Sequence, residues 1–72
     1  MSRMAYVAVI EKTPSGYSAY VPDLPGCVAA AKTRRGVERL IAEAVEMHIA
    51  GLREDGQKVP RPTTCTVELQ TV

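Results

Sequence analysis

Hydrophobic and polar positions divide the chain into five blocks. Residues 4 to 11, "MAYVAVIE", are apolar almost without a break and rich in β-branched and aromatic side chains. That is the pattern of a strand covered on both faces. Residues 16 to 21, "GYSAYV", alternate weakly. The "KTPSG" between them has hairpin length and carries proline and glycine, so the two strands are expected to pair antiparallel. "CVAAA", residues 27 to 31, predicts a third strand. Then Val37, Leu40, Ile41, Ala44, Val45, Ile49 and Leu52 recur at helical spacing, with Glu38, Arg39, Glu43, Glu46 and Arg53 on the other side. Residues 64 to 70, "TCTVELQ", alternate cleanly. Cys65, Val67 and Leu69 take one face and Thr66, Glu68 and Gln70 the other, predicting a strand with one wet face.

The residues between these blocks punctuate them. Pro22 cannot donate a ladder hydrogen bond and ends the second strand. In "LPGC", Pro25 pre-sets the second turn position and Gly26 supplies the positive φ of a type II turn at the third. Pro22, Asp23, Pro25 and Gly26 therefore read as a structural turn. Thr33 is placed to cap the helix N-terminus. Gly36 stands where a capping-box glutamate would help, and Arg34 and Arg35 oppose the dipole, so the first turn is expected to fray. Gly56 fits a left-handed helix stop, and Pro60 and Pro62 hold the exit extended.

These elements predict one α+β domain over residues 1 to 72. Its parts are a three-stranded antiparallel meander, one helix on one face, and a fourth strand returned parallel to the first by a right-handed crossover. One helix covers one face only. The first strand, however, is apolar on both, with Tyr6, Ala8 and Ile10 on one and Ala5, Val7 and Val9 on the other. The uncovered face needs another protein surface, a second copy or a different partner. Tyr6, Ala8, Ile10, Tyr17 and Tyr20 are the candidate interface residues.

Length sharpens that expectation, because 72 residues make a marginal core. Disulfides are not expected to help: Cys27 and Cys65 are the two cysteines, they are unpatterned, and no secretory segment precedes them. A reduced, cytoplasmic protein is expected, with no membrane span. Nine basic and eight acidic residues leave a net charge of +1, which gives no general attraction to nucleic acid or membrane and argues against direct DNA binding. The local exception is "KTRRGVER", where Arg34 and Arg35 could make charge contacts with a partner.

Candidate chemistry is thin. Asp23, Cys27 and His48 could be imagined as orienter, nucleophile and base. His48 falls near the middle of the helix's apolar stripe and reads more simply as a buried or interfacial imidazole. Cys27 reads as a small apolar strand residue. Asp23 is either a partner contact or an acceptor for amides of its own turn. Cys27, Cys65 and His48 lack the paired spacing of a zinc site. No cofactor and no catalysis are expected.

Several of these stretches together resemble the HicB-like antitoxin domain family. They are "YVAVI", "GYSAYVPDLPGC", Thr33 opening an alanine-rich helix, and "GLREDGQKVPRP", covering about residues 5 to 62. The resemblance implies a truncated ribonuclease-H-like sheet and a role in binding and masking a HicA-type toxin, a small ribonuclease that cuts messenger RNA. It also implies dimers or higher homo-oligomers. Many members carry a helix-turn-helix or ribbon-helix-helix segment after the sheet; this sequence stops at Val72, so a stand-alone domain is expected. The basic "AAAKTRRGVE" departs from the acidic residues usual around that helix start. Two other readings stand beside this one: a cryptic small hydrolase using Cys27 and His48, and an orphan self-assembling domain without a toxin.

Overall fold

The structure, a computed structural model, describes residues 5–71. Three strands precede one helix: β1 (Val9–Thr13), β2 (Gly16–Tyr20), β3 (Val28–Ala31) and α1 (Arg34–Glu54). The sheet order is β1-β2-β3, antiparallel throughout. Pro14 and Ser15 form the two-residue connection between β1 and β2, and Thr13 pairs with Gly16 across it. Gly16 has a steric reason beyond the turn. A Cβ there would collide with the backbone carbonyl of Ala31, so β3 can close on the hairpin only over a glycine.

The β2–β3 connection is two turns in series. Leu24 N–H donates to Val21 O at 3.1 Å, and Cys27 N–H donates to Leu24 O at 3.0 Å. Gly26 has φ +86°, the left-handed value that the third position of a type II turn requires. Val21 N–H then closes the loop on Cys27 O at 3.1 Å. The double reversal carries Leu24 inward, and it is fully buried.

Cross-strand partners share a face, so the register sorts the side chains. Ile10, Ala19 and Ala29 form one row, and Tyr17 and Ala31 belong to the next row on that face. All of them pack in or against the core with Val21, Leu24, Cys27, Val37 and Ile41. Val37 is fully buried, and full burial of such a side chain contributes about 1.5–3 kcal/mol.

Both ends of α1 are capped as the residue types direct. Gly36 N–H donates to Thr33 Oγ1 at 3.0 Å. A Cβ on Gly36 would lie 2.9 Å from that hydroxyl, so the glycine that weakens the capping box makes room for the cap. Arg34 also pairs with Glu38 at 3.1 Å, one turn along. The first turn is formed, not frayed. At the other end Gly56 has φ +71°. Its N–H donates to Arg53 O, and Gln57 N–H donates to Leu52 O at 2.8 Å, a complete Schellman closure.

Two expectations are corrected. The first strand begins at Val9; residues 5–8 belong to no ladder, and Met4 lies outside the described residues. More consequentially, residues 64–70 form no strand. The parallel pairing to β1 and the crossover that would deliver it are therefore not seen, and neither is the fuller ribonuclease-H-like arrangement. β2 is the middle strand of the three. The physical reason lies at the root of the segment: the amides of Thr63 and Thr64 are already bonded to Asp23, and every residue from 65 to 71 is exposed.

Candidate interaction surfaces

The turn that opens the corner of the fold also presents a strongly organised polar group. Asp23 points away from the core while its neighbour Leu24 points in. Its carboxylate accepts the amides of Thr63 at 3.1 Å and Thr64 at 3.0 Å on Oδ2, and the Thr63 hydroxyl at 2.8 Å on Oδ1. Donation from the Thr64 amide first, and from the Thr63 side chain next, holds its pKa below the ordinary value of 3.8. Asp23 thus accepts amide hydrogens, as an aspartate in a turn does, but from residues forty positions away. Tyr6 adds a second tie, its hydroxyl donating to Pro60 O. The chain after the helix is pinned at both points to the end of the sheet.

The candidate interface residues do not share one surface. Tyr6, Ile10 and Tyr17 pack against the core on the helix side. Ala8 lines a groove on the same side, together with Tyr6, Val21, Ile41, Ala42, Val45 and Glu46, of about 330 Å³. The groove exists because α1 packs most heavily on β3 and least on β1. Tyr20 lies on the opposite face, in register with Val9 and Val28. That row is the apolar part of the uncovered face, with Val28 65% and Tyr20 42% exposed. The next row, Glu11, Ser18 and Ala30, is polar or small.

The candidate catalytic groups are not brought together as a site. Cys27 is buried in the core, and its burial pushes the thiol pKa up, which opposes thiolate formation. His48 is half-buried on α1, and Asp23 is engaged in the clasp. Cys65 is exposed. Among the described residues no cluster of three His, Cys, Asp or Glu side chains could hold a metal ion. Arg34 and Arg35 are exposed at the start of α1, with Arg34 engaged by Glu38. No helix among the described residues is long and apolar enough to cross a membrane.

This arrangement, a small half-covered sheet with a clasped corner, has known counterparts. The profile of the HicB-like antitoxin of bacterial toxin-antitoxin systems matches residues 6–71. The chain belongs to the HicB-like antitoxin family. One solved chain of a "HicA3 and HicB3 toxin-antitoxin complex" superposes with a TM-score of 0.71 at 33% identity, covering 83% of this chain and 70% of that one. A 14.9 kDa protein from the rep-hol intergenic region of Haemophilus phage HP1 is 40% identical over 58 residues. The match takes in 81% of this HicB-like chain but 44% of the phage protein, so the chain spans less than half of that relative's length. A UPF0150 protein of Thermoplasma acidophilum is 37% identical over 59 residues, covering 81% of this chain and 86% of its own. A UPF0150 protein of Helicobacter pylori is 46% identical over 48 residues, 67% of each chain.

Sequence reasoning missed one functional-looking feature, the clasp from Asp23 to Thr63 and Thr64. No local signal encodes it. The nearest hint is that Thr63 and Thr64 follow Pro60 and Pro62, leaving two successive amides in an extended chain that need acceptors.

Proposed function

We propose that this domain is an antitoxin module that binds a HicA-type toxin and masks its RNA-cleaving surface, performing no chemistry itself. Membership of the HicB-like family, with the likeness to a chain of a toxin-antitoxin complex, is the observation that carries this reading. The docking surface on this chain is the uncovered sheet face, centred on the row Val9, Tyr20 and Val28. Tyr20 is the anchor: a rigid aromatic with a polar tip, half-exposed at the middle strand. Arg34 and Arg35 stand at the start of α1 as charge contacts that set orientation more than affinity.

The hydrolase reading is weaker because Cys27 is sealed in the core, where burial raises its thiol pKa and opposes the thiolate a nucleophile needs. The two are separated by co-expressing the chain with a HicA-type toxin. Co-purification together with loss of messenger RNA cleavage supports masking. Tyr20→Ala with Val28→Glu, both at exposed positions, should weaken capture by at least about tenfold while leaving the fold intact. Toxin activity unchanged by stoichiometric antitoxin would sink the proposal.

A further inference from the structure

The clasp fastens the chain after the helix with a hydroxyl that lies at the surface. Thr63 is exposed, whereas Thr64 beside it is half-buried. Thr63 Oγ1 donates its proton to Asp23 Oδ1 at 2.8 Å. Among the described residues, the hydrogen bonds that hold residues 61–66 all end on Asp23. The stretch is therefore held at one point, and the two bonds made by Thr63 are open to water.

The same stretch has the form in which a protein kinase takes a substrate. A kinase cleft binds an extended segment. Pro60 and Pro62 fix φ in the extended range, and residues 57–71 belong to no helix or ladder. The charge around Thr63 is one-sided. Lys58 and Arg61, both exposed, precede it by five and two positions. Thr64, Cys65, Thr66 and Val67 follow, and the first acidic residue on that side is Glu68. A cationic approach to an uncharged exit complements a kinase whose substrate groove is acidic.

We propose that Thr63 is a phosphorylation site and that its modification opens the clasp. Thr63 Oγ1 attacks the γ-phosphorus of ATP held by a serine/threonine kinase of basic substrate preference. An O–P bond forms, the bond to the leaving ADP breaks, and the hydroxyl proton passes to the kinase's base. The product lacks the proton that bridged to Asp23, and it carries about −1.5 to −2 charge at pH 7. That charge stands where a donor stood, against an ionised carboxylate, so attraction becomes repulsion. The Thr63 and Thr64 amides then leave Oδ2 with it, and the chain beyond Pro62 is released from the corner of the sheet. The Tyr6 tie to Pro60 marks where the release stops. Leu24, Val37 and Ile41 are buried away from the clasp, so the core stays closed. The switch does not depend on toxin masking, which uses the uncovered sheet face.

Incubation of the purified chain with MgATP and a panel of basophilic serine/threonine kinases, followed by tandem mass spectrometry, tests the site. The expected result is phosphate on Thr63 that is absent from Thr63→Ala. Amide exchange on the phosphorylated chain tests the switch. The Thr64 amide should exchange at least about tenfold faster than in the unmodified chain, with Val37 and Ile41 unchanged. A panel that leaves Thr63 unmodified, or that modifies Thr66 or another hydroxyl in its place, overturns the site. A phosphorylated chain whose Thr64 amide stays protected overturns the switch, and so does one in which Val37 and Ile41 lose protection as well.

Discussion

"GYSAY" and "TCTVELQ" make an instructive pair. The first alternates poorly, yet it is the middle strand of the sheet, bonded on both sides. The second alternates cleanly, yet it joins no ladder among the described residues. Period two tells which side chains share a face. It does not tell whether a neighbouring backbone is within reach. β2 has its neighbours delivered by a two-residue loop and by a tightly bonded double turn, both short closures. Residues 65–71, an exposed arm, come after a 21-residue helix and an extended proline segment, and the amides at the arm's root, those of Thr63 and Thr64, are already bonded to Asp23. Connection and donor supply, not pattern, separate the two.

The sharpest way to break that contrast is to truncate one leucine in each region. Leu24 sits in the turn after β2 and is fully buried; Leu69 sits in the arm and is 79% exposed. Leu24→Ala should cost about 2–5 kcal/mol, the loss of transfer energy plus a residual cavity. Leu69→Ala should change protomer stability by less than about 0.5 kcal/mol. Urea titrations at a concentration low enough to keep the chain monomeric check both. A large loss for Leu69→Ala under those conditions would mean the arm is already packed within its own chain.

A smaller effect is expected from adding one methyl group to the hairpin. Gly16→Ala drives a Cβ into the backbone of Ala31 and Lys32, which cannot rotate away, and should cost about 1–3 kcal/mol. The same substitution at Gly51, near the end of α1, meets open space and should stabilise by about 0.5–1 kcal/mol. Thermal unfolding of the two variants should therefore move in opposite directions. Equal shifts would show that β3 does not close over Gly16 in solution.

Much of the fold is legible in the residues, and the boundary of what is legible is physical. The Pro25–Gly26 turn, the Thr33 cap, the Gly56 stop and the burial of Val37 and Ile41 all follow from local geometry or helical period. Leu24 is not legible, because a leucine between two prolines reads as loop until the double reversal turns it inward. The split of the tyrosines was available in principle: Tyr17 shares parity with Ala19 and Val21, Tyr20 with Ser18. Grouping them as one interface overlooks that parity. The cleanly alternating strand expected at 64–70 fails for the reason given above, and Asp23's partners lie too far along the chain for any local rule to name.

The clasp itself is expected to give the smallest effect, and it sharpens the comparison most directly, because it is what holds the arm's root away from β1. The Thr64 amide and the Thr63 side chain hold the Asp23 pKa below 3.8, so the folded chain binds this proton less readily than the unfolded chain does. The clasp's contribution is then present in full above the unfolded value, near pH 4, and is lost as pH falls through the lower folded value. Amide exchange at Thr63 and Thr64, followed on acidification, should accelerate in that window relative to the intrinsic rate, while Val37 and Ile41 in α1 stay protected. Asp23→Asn removes the charge and should abolish the titration, leaving both amides exchanging faster at neutral pH. If the two amides remain protected in that variant, then something other than the carboxylate fixes the arm's root, and the arm's freedom from its own sheet has a different cause.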